Sequence, residues 1–128
     1  MRLQSGLVVA FALLGLGCAE PPGGQLEPAS RADPACEAAL LRALQQVRQR
    51  AGLGVELTSA HASELAERGS IEPAYARDGT QYAAGIGLVH DHGACALRVW
   101  NVSQSTPHAT TSTTGDFATV PVPGCRCR

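Results

Sequence analysis

Four cysteines set the tightest constraint on this chain: Cys36, Cys95, and a tail pair, Cys125 and Cys127, separated only by Arg126. A fifth, Cys18, closes an apolar N-terminal run and is considered apart. An even number of cysteines in a small domain reads as a disulfide framework where the surroundings are oxidising. Four cysteines allow three connectivities. A bond inside Cys125-Arg126-Cys127 would close a very small, strained ring. The tail cysteines are therefore expected to pair with Cys36 and Cys95, in an order the sequence leaves open. The other use of a C-x-C pair is as a redox motif or a grip on a soft metal such as Cu(I).

The N-terminus indicates where such bonds would form. Arg2 and the free amine give a short positive region. Leu7–Leu16 is an uncharged apolar run of ten residues, followed by Gly17, Cys18 and Ala19. That is the layout of a secretory signal. The run is too short to span a bilayer, which takes about 20 residues. Gly15-Leu16-Gly17-Cys18 resembles the lipobox of bacterial lipoproteins. The resemblance implies a signal peptide over 1–17, cleavage before Cys18, and a diacyl lipid on its thiol. Ordinary cleavage after Ala19 is the rival. In an organism with an outer membrane, Ala19 rather than Asp after the cysteine resembles the outer-membrane sorting signal. Residues 18–33, with Pro21, Pro22, Gly23, Gly24 and Pro28, read as an extended Pro/Gly-rich tether.

From Cys18 onward 111 residues remain, enough for one small domain. They carry nine arginines, no lysine and eleven acidic side chains. That balance argues against a nucleic-acid partner and against a polybasic membrane patch. The surviving aromatics are Tyr75, Tyr82, Trp100 and Phe117, too few for a base-stacking platform. Much of the apolar content is Ala, so disulfide staples would help a modest core.

Asp33-Pro34 is a helix start, with a capping carboxylate and a first-turn proline. Cys36, Leu40, Leu44, Val47 and Ala51 then recur on one stripe to Gly52, which predicts a helix over 34–51. Leu53, Val55 and Leu57 alternate, as in a short strand or extended connector. Thr58 or Ser59 caps a second helix running to Arg68, with Gly69 as its stop and His61 in its first turn. Residues 69–81 read as a connector. Tyr82–Val89 and Ala94–Val102 read as a β-hairpin around the polar turn His90-Asp91-His92-Gly93. Tyr82, Ala84, Ile86 and Leu88 share one face, and Gly85 and Gly87 on the other would admit a close neighbour. Cys95, Leu97 and Val99 share a face opposite Arg98 and Trp100. Residues 103–115 read as a mobile Ser/Thr-rich linker or an O-glycosylated stretch. Phe117–Val122 offers a short edge strand, limited by Pro121 and Pro123.

The fold expected is thus α+β: two helices packed on an antiparallel β-hairpin, with room for a third short edge strand. The domain spans 34–104, and 105–128 forms a linker and cysteine-containing tail. The densest reactive cluster is His90-Asp91-His92-Gly93-Ala94-Cys95. His90 and His92 can place two imidazoles on one metal, with Cys95 as a further ligand, although hairpin turns collect polar residues for backbone reasons alone. Gly85-Ile86-Gly87 opens no helix and so fails as a dinucleotide loop. Asn101-Val102-Ser103 is a sequon, idle in most bacteria. Ala84-Gly85-Ile86-Gly87-Leu88-Val89 with its hairpin partner resembles the closing hairpin of CAP/SCP-type secreted domains, and Ser59-Ala60-His61 resembles their Ser-x-x-His helix start, one residue short. That resemblance implies a truncated secreted domain and carries over no site. The leading expectation is a non-catalytic binding or structural module at the cell envelope, joined to a membrane through Cys18, with no cofactor and no nucleic acid. The alternative is a periplasmic metal-binding domain using the His-Asp-His turn.

Overall fold

The computed structural model describes residues 26–29 and 33–127. The expected signal peptide, Cys18 and most of the expected tether lie outside the described residues. Helix α1 spans Pro34–Ala51 and α2 spans Ser59–Arg68. Five strands follow: β1 Ser70–Ile71, β2 Ala74–Arg77, β3 Thr80–Asp91, β4 Ala94–Ser105 and β5 Thr110–Pro121.

Both helices are delimited by local chemistry. The Asp33 carboxylate accepts the Ala35 N–H at 3.0 Å, and Gly52 ends α1 at φ 68°. In α2 the cap is Thr58, and Gly69 ends it at φ 86°. Only glycine takes such positive angles without steric cost. The Leu53–Leu57 segment is a connector. Its carbonyls at Val55 and Leu57 are held by Arg48 Nε and Gln45 Nε2, both at 2.7 Å.

The sheet is antiparallel throughout, ordered β1-β3-β4-β5, with β2 pairing β3 beyond β1 on the same edge. It is larger than the hairpin expected, for two reasons. First, Asp78-Gly79 is a two-residue turn with φ 51° and 78°, joining Arg77 to Thr80. Positive φ at both central residues suits the twist of the flanking strands. The expected connector over 69–81 therefore folds into β1, β2 and the start of β3. Second, the stretch expected to be a linker is the end of β4 and the first half of β5. Ser103, Gln104 and Ser105 pair Ser112, Thr111 and Thr110. A ladder of backbone hydrogen bonds needs no apolar side chain, and Thr is a strong strand former.

The core lies between one sheet face and the helices. Cys36, Leu40, Leu44 and Val47 of α1, with Ala62 and Leu65 of α2, pack on Ala84, Ile86, Leu88, Leu97, Val99 and Val120. Leu40, Leu44, Leu65, Ile86, Leu88 and Leu97 are fully buried, each worth about 1.5–3 kcal/mol by transfer. On the other face a Cβ on Gly85 would lie 2.8 Å from the Trp100 ring, and one on Gly87 would collide with Leu26. The close neighbours that the two glycines admit are thus a side chain and an incoming segment. Leu26–Ala29 also departs from the tether expected. The Glu27 N–H donates to the Leu88 carbonyl at 3.2 Å, that of Ala29 to the Ala66 carbonyl at 3.1 Å, and Ala29 is buried. Residues 26–29 therefore belong to the packed domain, because this short segment finds a sheet edge and a glycine-floored hollow.

Candidate functional site

The structure gathers Cys36, Cys95, Cys125, Cys127, His90 and His92 at one end of the molecule, where the β3–β4 turn, the C-terminal tail and residues 26–29 meet. Two disulfides close this end: Cys36–Cys125, whose Cα atoms are 4.6 Å apart, and Cys95–Cys127, at 5.4 Å. Each tail cysteine pairs away from its neighbour, as the ring-strain argument requires. The order is interleaved, first with third and second with fourth. Cys36 comes from α1 and Cys95 from β4, so the tail straps helix and sheet together. Ala29 forms an isolated antiparallel bridge with Cys127, adding the incoming segment to the strap.

Beside the strap runs an open groove of about 700 Å³, lined by His90, Cys95, Val122, Pro123, Arg126 and Cys127 among others. Its walls are mainly apolar, with a guanidinium and an imidazole at hand. His90 Nε2 lies 2.7 Å from Glu27 Oε1, and the imidazole is about half exposed (52%). His92 occupies the turn at φ 53° and is almost fully exposed, its Nδ1 3.2 Å from Asp91 Oδ1. The turn is narrower than expected, since Asp91 already pairs Ala94 and only His92-Gly93 bridge the strands. Cys95, suggested as a third metal ligand, is bonded to Cys127 and offers no thiolate. Among the described residues no group of three or more His, Cys, Asp or Glu side chains is placed to hold a metal. His61 is a helix-capping group: its Nδ1 accepts the Thr58 N–H at 2.9 Å, taking the place of the Glu or Gln of a capping box.

Sequence reasoning missed Glu27, because it lies in a stretch read as tether and meets His90 across the fold. It also missed the stacked pair Tyr75–Tyr82, with ring centroids 5.0 Å apart and the Arg77 guanidinium 5.8 Å from the Tyr75 ring. The signal for that pair was present. A two-residue turn at Asp78-Gly79 fixes the register, and counting outward sets Tyr75 opposite Tyr82.

Two further features stand out. Trp100 is the extra residue of a bulge: Ile86 pairs Val99 while Gly85 pairs Asn101. Among the described residues its buried Nε1–H has no hydrogen-bond partner, and the ring lines a second groove of about 450 Å³ with Glu64, Arg68, Ser70, Ile71 and Glu72. Beyond the bulge β4 and β5 continue as a polar ribbon. Asn101 Nδ2 donates to Ser112 Oγ at 3.0 Å, and the Ser105 and Thr110 hydroxyls are 3.0 Å apart. Comparison of the chain with protein-family models, curated proteins and solved structures finds no significant match.

Proposed function

We propose that this chain is exported, carries a lipid on Cys18, and serves at the cell envelope as a non-catalytic binding or structural module. The observation that carries this reading is the interleaved pairing of Cys36 with Cys125 and Cys95 with Cys127. Bonds of this kind form and persist in oxidising compartments and are rare in reducing ones. The signal-like segment Leu7–Leu16 and the lipobox-like Gly15–Cys18 supply the matching address. A non-catalytic role is supported by what the reactive side chains do. Cysteines close the strap, His61 caps a helix, and His90 holds Glu27. An acyl anchor contributes about 0.8 kcal/mol per buried CH2, so stable attachment requires more than one chain.

The test is metabolic labelling with a fatty-acid analogue in a lipoprotein-competent host, followed by non-reducing mass spectrometry. The expected result is a labelled chain, loss of label in Cys18→Ala, and no free thiol at Cys36, Cys95, Cys125 or Cys127. An unlabelled wild type retained in the cytoplasm with four free thiols overturns the reading.

A further inference from the structure

We propose that this chain pairs with a second copy of itself along β5, making one continuous antiparallel sheet across a two-fold axis. The inference is independent of the envelope reading and rests on how differently the two sheet edges are finished.

One edge consists of β1 and β2, two and four residues long. Glu72 and Pro73 interrupt it and Arg77 ends it. Short strands, proline and charge are the usual means of blocking further pairing. The other edge is β5, twelve residues long, out of register with β4 over 115–117, where three residues stand opposite Trp100, and regularly paired over 110–114. Among the described residues it pairs only with β4. Near the core its outer side is engaged by Arg50, whose Nη1 donates to the Thr119 carbonyl at 3.4 Å. From Thr110 to Phe117 every residue is exposed. The sole charge there, Asp116, is turned to Arg98 at 3.7 Å and Thr119 at 2.6 Å. The stretch Thr110–Thr114 has no charge and no proline, and alternate residues of an edge strand point their backbone N–H and C=O away from the sheet. Only another extended strand matches such a row.

The sequence selects the occupant. Thr110-Thr111-Ser112-Thr113-Thr114 reads the same in both directions. Antiparallel pairing centred on Ser112 therefore sets Thr110 against Thr114 of the second copy, Thr111 against Thr113, and Ser112 against Ser112. Thr–Thr and Ser–Ser neighbours across strands are favourable pairs. An isologous contact of this kind closes on itself. The blocked β1–β2 edge leaves nothing for a third copy to extend.

Sedimentation of the purified, disulfide-bonded chain tests the proposal, with circular dichroism to verify folding. The wild type is expected at twice the monomer mass at high concentration. Ser112→Lys and Ser112→Glu each place like charges face to face on the axis and should each weaken association at least tenfold. Their equimolar mixture should restore a dimer holding one of each. Ser112→Cys should cross-link under mild oxidation on a non-reducing gel, whereas Ala76→Cys on the opposite edge should not. A wild type that stays monomeric to about millimolar concentration, where binding is weaker than about 4 kcal/mol, overturns the proposal and leaves β5 as an edge for a different polypeptide. So does a Ser112→Lys chain that dimerises as well as the wild type, a mixture that fails to dimerise, or equal cross-linking from Ala76→Cys.

Discussion

Removing the longer disulfide should cost this domain a large share of its stability. Cys36 and Cys125 are 89 residues apart in sequence. In the chain-entropy model, closing a loop of that length in the unfolded state is worth about 4.6 kcal/mol at 25 °C. Cys95 and Cys127 are 32 apart, for which the same relation gives about 3.7 kcal/mol. The interleaved loops share residues 95–125, so the two values do not add. Small domains have only about 5–15 kcal/mol in total. The double variant Cys36→Ala, Cys125→Ala should therefore unfold at a urea midpoint lower by about 2–3 M, taking a slope near 1.5 kcal/mol/M, and melt about 15–30 °C lower. Cys95→Ala, Cys127→Ala should lose somewhat less. The ranking is the decisive part, because each pair joins one buried cysteine to one half-buried cysteine while the loop lengths differ almost threefold. Equilibrium unfolding by circular dichroism reads both quantities. A loss below about 1 kcal/mol for the first variant, or a larger loss for the second, would refute loop entropy as the source of the strap's stabilisation.

Two further perturbations probe the sheet's other face and the turn. Gly85→Ala puts a methyl 2.8 Å from Trp100 Cε2 and Cζ2, so the ring must swing outward; this should cost about 1–3 kcal/mol and shift the emission of the chain's single tryptophan to longer wavelength, while unchanged emission with unchanged stability would show that the ring does not rest on that glycine. Titration of the disulfide-bonded chain with Zn²⁺ should give no binding tighter than about micromolar, since His90 is held by Glu27 and Cys95 by Cys127; stoichiometric zinc lost in His92→Ala would instead assign the turn a metal.

What the sequence revealed follows from how local each signal is. The bounds of α1 could be read to the residue because cap, first-turn proline, stripe and terminal glycine all lie within the helix or beside it. The central parts of β3 and β4 were legible because one face is buried, which imposes alternation at Ile86, Leu88, Leu97 and Val99. That the tail cysteines pair elsewhere followed from covalent geometry, but their partners depend on where α1 and β4 meet. Leu26–Ala29 escaped because its contacts, with Gly87, Leu88, Ala66 and Cys127, are all made across the fold. Asp78-Gly79 was a local signal that went unused, and it would have extended the sheet by a strand.

The Ser/Thr tract escaped for a different reason, which bears on what it does. Apolar periodicity reports only the half of the sheet that covers the helices, roughly residues 84–89, 95–99 and 118–122. Beyond the Trp100 bulge only Val102 of β4 still packs against the core, and every residue from Thr110 to Phe117 of β5 is exposed. The ribbon's strands are held by the backbone ladder, by Asn101–Ser112 and Ser105–Thr110 contacts, and by continuity with the buried half. A tract with no buried face has no sequence signature of a strand except β-propensity, which composition-based reading discounts. The same property limits what can recognise it. With no apolar patch before Phe117 and no charge before Asp116, the features Thr110–Thr114 presents are a row of hydroxyls and the unpaired groups of its own backbone. A partner that binds there must supply strand geometry first, and the palindromic order of the five residues makes a second copy the partner whose side chains fit.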